Sequence, residues 1–324
     1  MKEITIVIPN YNGKKYLRDC LMALVDGQEE DTPEFEVLVV DNGSTDGSVH
    51  MLVELWPNVR KILLKENTGF CHAVNVGIQA ADTPYVILLN NDTKAEPGFV
   101  KGLYQAIQKN GKIFSVSAGM LMWDRPELVD DAGDYYCALG WAFARGKGKP
   151  VCRYEKPVQV FSACGGAAIY RRAVFEEIGL FDEAHFAYLE DLDIGYRARI
   201  RGYYNCYEPS AKVLHFGSAS TGSRYNERKT ILASANNVYV IGKNMPLFQI
   251  IVNLPLLCAG FFLKFLFFVK KGMGRLYLKG LVQGVRRCFS EKGRQNKVVF
   301  EWKYLKNYLA IQLELWINIA RYFE

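Results

Sequence analysis

Four short apolar runs in the first ninety residues, each followed by a cluster of polar side chains, constrain this fold more than any other feature. The runs are Ile4–Ile8, Val37–Val40, Lys61–Leu64 and Tyr85–Leu89. Helical spacing lies between them: Leu17, Leu21 and Leu24 within 15–25, then segments near 48–56 and 70–81. Strands alternating with helices of this length indicate βαβ units and a mostly parallel sheet with flanking helices, an α/β class. Tyr85–Leu89 is apolar throughout, as a strand buried on both faces must be.

The polar clusters follow the strands. Pro9-Asn10-Tyr11-Asn12-Gly13 follows the first, and Asp41-Asn42-Gly43-Ser44-Thr45-Asp46-Gly47-Ser48 the second. Glu66-Asn67-Thr68-Gly69, continuing to Asn75, follows the third, and Asn90-Asn91-Asp92 the fourth. Asn and Asp are favoured turn residues, Thr45 or Asp46 suits a helix cap, and Gly69 suits a positive φ. Four such clusters at consecutive strand ends would also line the crevice where open α/β sheets bind ligands. A nucleotide suits that crevice: a carboxylate for the base edge, backbone amides for polar atoms, and Asp92 as a hard oxygen for magnesium or manganese.

Beyond residue 113 the pattern becomes irregular. An antiparallel or mixed extension is expected over 113–169, with loops at Asp124–Asp131 and Arg145–Lys156, then helices near 172–178 and 189–201. The stretch 217–223, rich in Gly and Ser, reads as a mobile loop. The remainder, 226–324, reads as a helical region apart from a catalytic domain over 1–225.

Charge separates the two. The chain carries +6, yet twelve Lys or Arg against two acids fall between Lys264 and Lys306, which leaves the rest at −4. Pro246–Val269 is strongly apolar but interrupted by Gln249, Asn253, Pro255 and Lys264. A spanning helix wants about twenty apolar residues. Apolar, aromatic-rich helices beside dense positive charge suit peripheral attachment to an anionic membrane surface. A helical subdomain that packs on the core or forms a homo-oligomer is the alternative, and nucleic acid is not the expected partner. Eight cysteines without a C-x-x-C pair exclude a zinc ribbon and a disulfide scaffold. A strand beginning at Ile4 leaves no signal peptide, so a cytoplasmic location is expected.

The segments VIPNYNG, VVDNGSTDGS, NTGFCHAVNVG and LLNNDT, in this order, resemble the inverting family-2 glycosyltransferases of the A-type fold. So do CGGAAIYRR at 164–172, GLFDEAHFAYLEDLDIGYR at 179–197 and HFGSAS at 215–220; the likeness covers roughly 3–240. It lies nearest to bacterial rhamnosyltransferases that build cell-surface polysaccharides. The resemblance implies a nucleotide-sugar donor bound by Pro9, Tyr11, Asn12, Asp41 (at the base), Asn67, Gly69, Asn75, Asn90 and Asn91. It implies a lipid-linked or polysaccharide acceptor contacted by Glu190, Gly165 and Gly166, and a Mn2+ or Mg2+ ion held by Asp92 and His215. The metal motif departs from the family's Asp-x-Asp, since Asn90 stands first and leaves the charge to Asp92.

Inverting transfer needs a base for the acceptor hydroxyl, and the resemblance places it at Asp191. Asp193 is assigned an i,i+4 pair with Arg197. Arg224, Tyr225 and Arg228 are candidates for a donor or lipid diphosphate, or simple surface charge. The implied reaction moves a sugar, best read as L-rhamnose from dTDP-rhamnose. Galactofuranose, glucose or N-acetylglucosamine remain alternatives, with a nucleotidyltransferase or a non-catalytic scaffold behind them.

Overall fold

A computed structural model describes residues 2–26, 31–217 and 226–324. The first part runs β1 (Ile4–Asn10), α1 (Lys14–Asp26), β2 (Phe35–Asn42), α2 (Ser48–Leu55), β3 (Arg60–Leu64), α3 (Phe70–Ala80), β4 (Tyr85–Leu89), β5 (Thr93–Ala95) and α4 (Phe99–Gln108). The middle adds β6 (Ile113–Met122), β7 (Arg125–Asp131), β8 (Asp134–Cys137), β9 (Trp141–Ala144), β10 (Val158–Val160), β11 (Ala167–Arg171), α5 (Val174–Ile178), α6 (Glu190–Ile200) and β12 (Tyr204–His215). Five helices follow: α7 (Glu227–Asn244), α8 (Leu247–Lys270), α9 (Gly274–Phe289), α10 (Glu291–Gln295) and α11 (Leu305–Phe323).

The main sheet has the order β10-β12-β6-β11-β4-β1-β2-β3, with β5 beside β12 and β7 beside β6. Strands β1 to β4 are parallel, so their carboxyl ends share one edge. Antiparallel β11 joins them to β6, and β6 pairs in parallel with β12. Side chains alternate across the sheet. Ile4, Ile6 and Ile8 face α1 and α4, packing on Leu17, Leu21 and Leu103, while Val7, Leu38 and Val86 face Val74 and Ile78 of α3. A third core, holding Leu192, Tyr196, Val240, Leu257 and Leu315, joins α6 to the C-terminal helices.

One expectation fails. The segment expected to be a loop at Asp124–Asp131 contains β7, an edge strand on β6 with two register shifts. Pro126 and its charged neighbours hide it, because polar residues and Pro suit an edge strand as well as a loop.

Candidate active site

At the strand ends Asn10, adjacent in register to Asp41, organises a hydrogen-bond network. Its amide donates to Asp41 Oδ2 at 2.8 Å, Ser48 Oγ at 3.0 Å and Ser44 Oγ at 3.2 Å, while its Oδ1 accepts from Asn91 Nδ2 at 2.7 Å. Asp41 Oδ1 accepts from the Ser44 N–H at 2.9 Å. The carboxylate therefore fixes the 41–48 turn and keeps further lone pairs for a ligand. Exposed Asn12, at φ +50, accepts from the Thr45 N–H at 2.8 Å. Tyr11 beside it projects to solvent, with Pro9 half-buried below.

Two of the candidates, Asn75 and Asn91, have their amides engaged within the protein. Asn75 Nδ2 donates to the Phe181 carbonyl at 2.8 Å and its Oδ1 accepts from the Phe181 N–H at 3.0 Å. The residue thus clamps the 181–183 segment from within α3, with both ends of its amide engaged. Asn91 is buried, with its amide donating to Asn10 Oδ1. Asn67 Oδ1 accepts from the Gly69 N–H at 3.0 Å. Gly69 has φ +95, and an added Cβ would lie 2.7 Å from the Phe186 ring; only glycine fits there.

The proposed metal ligands are 123 residues apart in sequence, and the pairing of β5 with β12 places Thr93 opposite His215. His215 Nε2 lies 3.5 Å from Asp92 Oδ1, and His215 Nδ1 lies 2.7 Å from Asp130 Oδ2. Burial alone would lower the imidazole, but its hydrogen bonds to Asp130 and Asp92 outweigh that and push it up to about 9. A carboxylate oxygen and an imidazole nitrogen facing one another, with the other ring nitrogen held by a carboxylate, is a donor set that fits a divalent cation. The cation would displace the imidazole's proton. Asp130 escaped the sequence reading because it sits in the misread β7.

The Cys164-Gly165-Gly166 turn connects this centre to the second one. The Asn90 N–H donates to the Gly166 carbonyl at 2.8 Å, and a Cβ on Gly166 would lie 3.1 Å from Asn90 Nδ2. On the other side the Gly165 N–H donates to Asp191, and a Cβ on Gly165 would lie 2.5 Å from Asp191 Oδ1. The glycines therefore permit close approach of the Asn90 and Asp191 side chains. Burial raises Asp191 to about 7; the Gly165 N–H opposes this and the Asp131 charge adds to it. Burial, then the Asp191 charge, also raises Glu190 well above the usual carboxylate range. Asp191 Oδ1 and Glu190 Oε2 have no hydrogen-bond partner among the described residues.

Asp131, Asp134 and Cys164 form a second acidic group whose ligand atoms lie within 4.8 Å of one another. Burial, then the charges of Asp131, Asp134 and Asp191, raises the Cys164 thiol far above its ordinary value. It stays a neutral thiol, a poorer ligand than a thiolate. Asp193 takes the structural role expected of it. It accepts from Arg197 at 2.8 and 3.0 Å, Lys243 at 2.9 Å and Asn244 at 2.8 Å. Arg228 stacks on Phe186 at 5.1 Å, whereas Arg224 and Tyr225 lie outside the described residues.

Known proteins resemble this chain in sequence and in fold. N-acetylglucosaminyl-diphospho-decaprenol L-rhamnosyltransferase of Mycobacterium tuberculosis is 32% identical over 217 residues, spanning 57% of this chain and 68% of that enzyme. The O-antigen biosynthesis protein RfbC of Myxococcus xanthus is 28% identical over 236 residues, 67% of this chain but 18% of that one. Among solved structures, GalNAc-T7 with UDP, GalNAc and Mn2+ superposes with a TM-score of 0.58 at 17% identity, covering 74% of this chain and 48% of that one. The mannosyltransferase PcManGT of Pyrobaculum calidifontis with GDP-Man and Mn2+ gives 0.51 at 17% identity, covering 96% and 87%. These place the fold with the A-type glycosyltransferases. The profile for "Glycosyl transferase family 2" matches residues 5–179, and the chain belongs to that family.

Proposed function

We propose that this protein is a metal-dependent inverting transferase. It moves a sugar, best read as L-rhamnose from dTDP-rhamnose, to a hydroxyl of a lipid-linked or polysaccharide acceptor in cell-surface glycan synthesis. The observation that carries this reading is Asp191, a half-buried carboxylate raised to about 7 with one buried oxygen unpartnered, joined by a glycine turn to the Asp92–His215 strand ends. A base near the working pH takes a hydroxyl proton most efficiently. Asp191 accepts the acceptor's proton as its oxygen attacks the anomeric carbon, and displacement from the far side inverts that centre. Asp92 and His215 would hold Mn2+ or Mg2+, which supplies positive charge against a departing nucleoside diphosphate. Asp41, Asn12 and the backbone near Gly69 orient the nucleotide, and Glu190 contacts the acceptor.

The mycobacterial relative's name supports both the rhamnosyl donor and a diphosphate-lipid acceptor. The Mn2+ in two nucleotide-bound structural neighbours supports the cation. Residues 1–225 form the catalytic part in this reading, and 226–324 hold it to the inner face of the cell membrane. Helix α8 is long and apolar enough to cross a bilayer, but Gln249 and Asn253 bind it to the protein body, which favours lying on the surface.

A thermal-shift screen of nucleotide sugars with and without Mn2+ identifies the donor through binding linkage. Asp191→Asn should keep that stabilisation while turnover falls by about 10³-fold or more, within the usual worth of a general base. Near-normal turnover in this variant would refute the assignment.

A further inference from the structure

Nothing so far uses a large cavity among the C-terminal helices. About 490 Å3 of open space lies among α7, α8, α9 and β9, a size typical of small-molecule sites. Its walls include Trp141, Leu189, Ala233, Phe267 and Tyr277, and Lys264 borders it. Buried polar groups normally find partners, and one here does not. The Tyr277 hydroxyl has no hydrogen-bond partner although its side chain is 2% exposed. Lys264 Nζ sits 5.8 Å from the centroid of the Trp141 ring, and no carboxylate pairs with it among the described residues. Desolvation pulls this ammonium down to about 8. The neighbouring polar side chains are already engaged: Ser234 Oγ donates to the Thr230 carbonyl at 2.5 Å, and Asn237 Nδ2 to the Gly140 carbonyl at 2.6 Å.

Position adds to chemistry. Leu189, in the cavity wall, directly precedes Glu190 and Asp191. At the other end Leu263 and Phe267 line the cavity and also belong to the exposed apolar face of α8. The cavity therefore has an apolar outer surface on one side and, on the other, the residue that precedes Glu190 and Asp191 in the chain. A free anion would leave its aromatic wall wet, and a neutral lipid would leave Lys264 and Tyr277 without partners. An amphiphile with an anionic head satisfies both.

We propose that this cavity receives the first isoprene units of a prenyl-diphosphate acceptor, with the chain against Trp141 and Phe267 and the diphosphate against Lys264 and Tyr277. The sugar borne by that diphosphate then lies toward Asp191. This deepens the transferase reading and rests on it.

Farnesyl diphosphate, farnesol and inorganic diphosphate, titrated into the full chain and followed by calorimetry, test the proposal. Farnesyl diphosphate should bind at least about tenfold more tightly than either fragment, since each fragment meets half of the site. Lys264→Gln should weaken farnesyl diphosphate by about tenfold and leave farnesol unchanged, because only the charged contact is lost. Ala233→Phe, which fills the cavity, should remove both ligands. Farnesyl diphosphate binding no more tightly than inorganic diphosphate would overturn the proposal, as would wild-type affinity in Lys264→Gln. A separate arm reads wild-type stabilisation by sugar nucleotides. Its success beside failed farnesyl diphosphate binding would overturn the acceptor cavity alone, and its failure would overturn the transferase reading.

Discussion

The carboxyl edge of the sheet and helix α8 bury their side chains in opposite senses. At the sheet edge an apolar interior supports polar groups at the crevice, and Asn10, Asp41 and Asn91 satisfy one another there. In α8 the polar residues point inward. Gln249 and Asn253 are both 0% exposed. Gln249 joins the Tyr196 hydroxyl and the Tyr308 carbonyl, and Asn253 joins Gln312 and the Trp316 indole N–H. The outward side carries Leu247, Ile251, Leu254, Phe262 and Leu266. Val282 of α9 and Leu309 and Leu313 of α11 are exposed apolar residues as well. Contiguous exposed patches of this kind mark interaction sites. The first region suits a ligand arriving from water, and the second suits a face turned toward an apolar medium.

The largest effect should come where the two regions are joined. Lys243 of α7 donates to Asp182 at 2.8 Å and to Asp193 at 2.9 Å, with all three groups buried. Lys243→Met leaves two buried carboxylates short of a cation, which should cost roughly 3–5 kcal/mol at pH 7. Burial alone would raise Asp182 and Asp193, but Lys243 (with Arg197 for Asp193) outweighs it and holds both below the usual range. Such depressed groups stabilise the fold above their unfolded pKa and lose that contribution as pH falls. The penalty should therefore be full at pH 7 and shrink below about pH 4, where the unfolded carboxyls bind protons. Urea melts at the two pH values check this; equal penalties would mean that Lys243 acts by packing alone.

Next in size is the inward polar face of α8. Asn253→Leu strands the Gln312 amide and the Trp316 N–H, so it should destabilise by about 1–3 kcal/mol although leucine suits a helix better. A variant more stable than wild type would show that the inverted pattern is incidental.

The catalytic edge gives the opposite sign. Asp191, raised to about 7, keeps in the fold a proton that the unfolded chain releases near pH 4, so folding stability falls as pH rises between those values. Asp191→Asn should be neutral near pH 3.5 and stabilising by on the order of 1–2 kcal/mol at pH 8, a gain matched by lost activity. Unchanged melting at pH 8 would mean that the fold does not hold the Asp191 carboxyl above its ordinary range.

Much of this was legible in advance. Continuous apolar runs identified β1 to β4, and the parallel sheet those runs imply brings their polar ends to one edge. The networks at that edge were not legible. Asn75 and Asn91 look identical in sequence to ligand-binding Asn, and only packing shows that their amides serve Phe181 and Asn10. Asp130 and Asp131 gain their roles from β7 pairing with β6, a contact their polar neighbourhood does not announce. In α8, Gln249 and Asn253 read as interruptions of an apolar helix, although their i,i+4 spacing already placed them on one face.

The smallest effect on folding should accompany a large effect on location. Phe262 and Leu266 lie one turn apart on the outer face of α8, at 59% and 41% exposure. Replacing both with Ser removes apolar surface of which about half meets solvent, so the melting curve should move by no more than about 1 kcal/mol. Each side chain, if it enters the headgroup region, contributes about 1–2 kcal/mol of partitioning. The double variant should therefore lose at least tenfold in binding to phosphatidylglycerol vesicles, read by co-sedimentation. Basic Lys270, Lys271 and Arg275 adjoin this face, so residual binding should fall further in high salt, and neutral vesicles should bind less throughout. Equal binding by wild type and variant would mean that the apolar face meets protein, as in a dimer, and sedimentation velocity would then show a concentration-dependent mass.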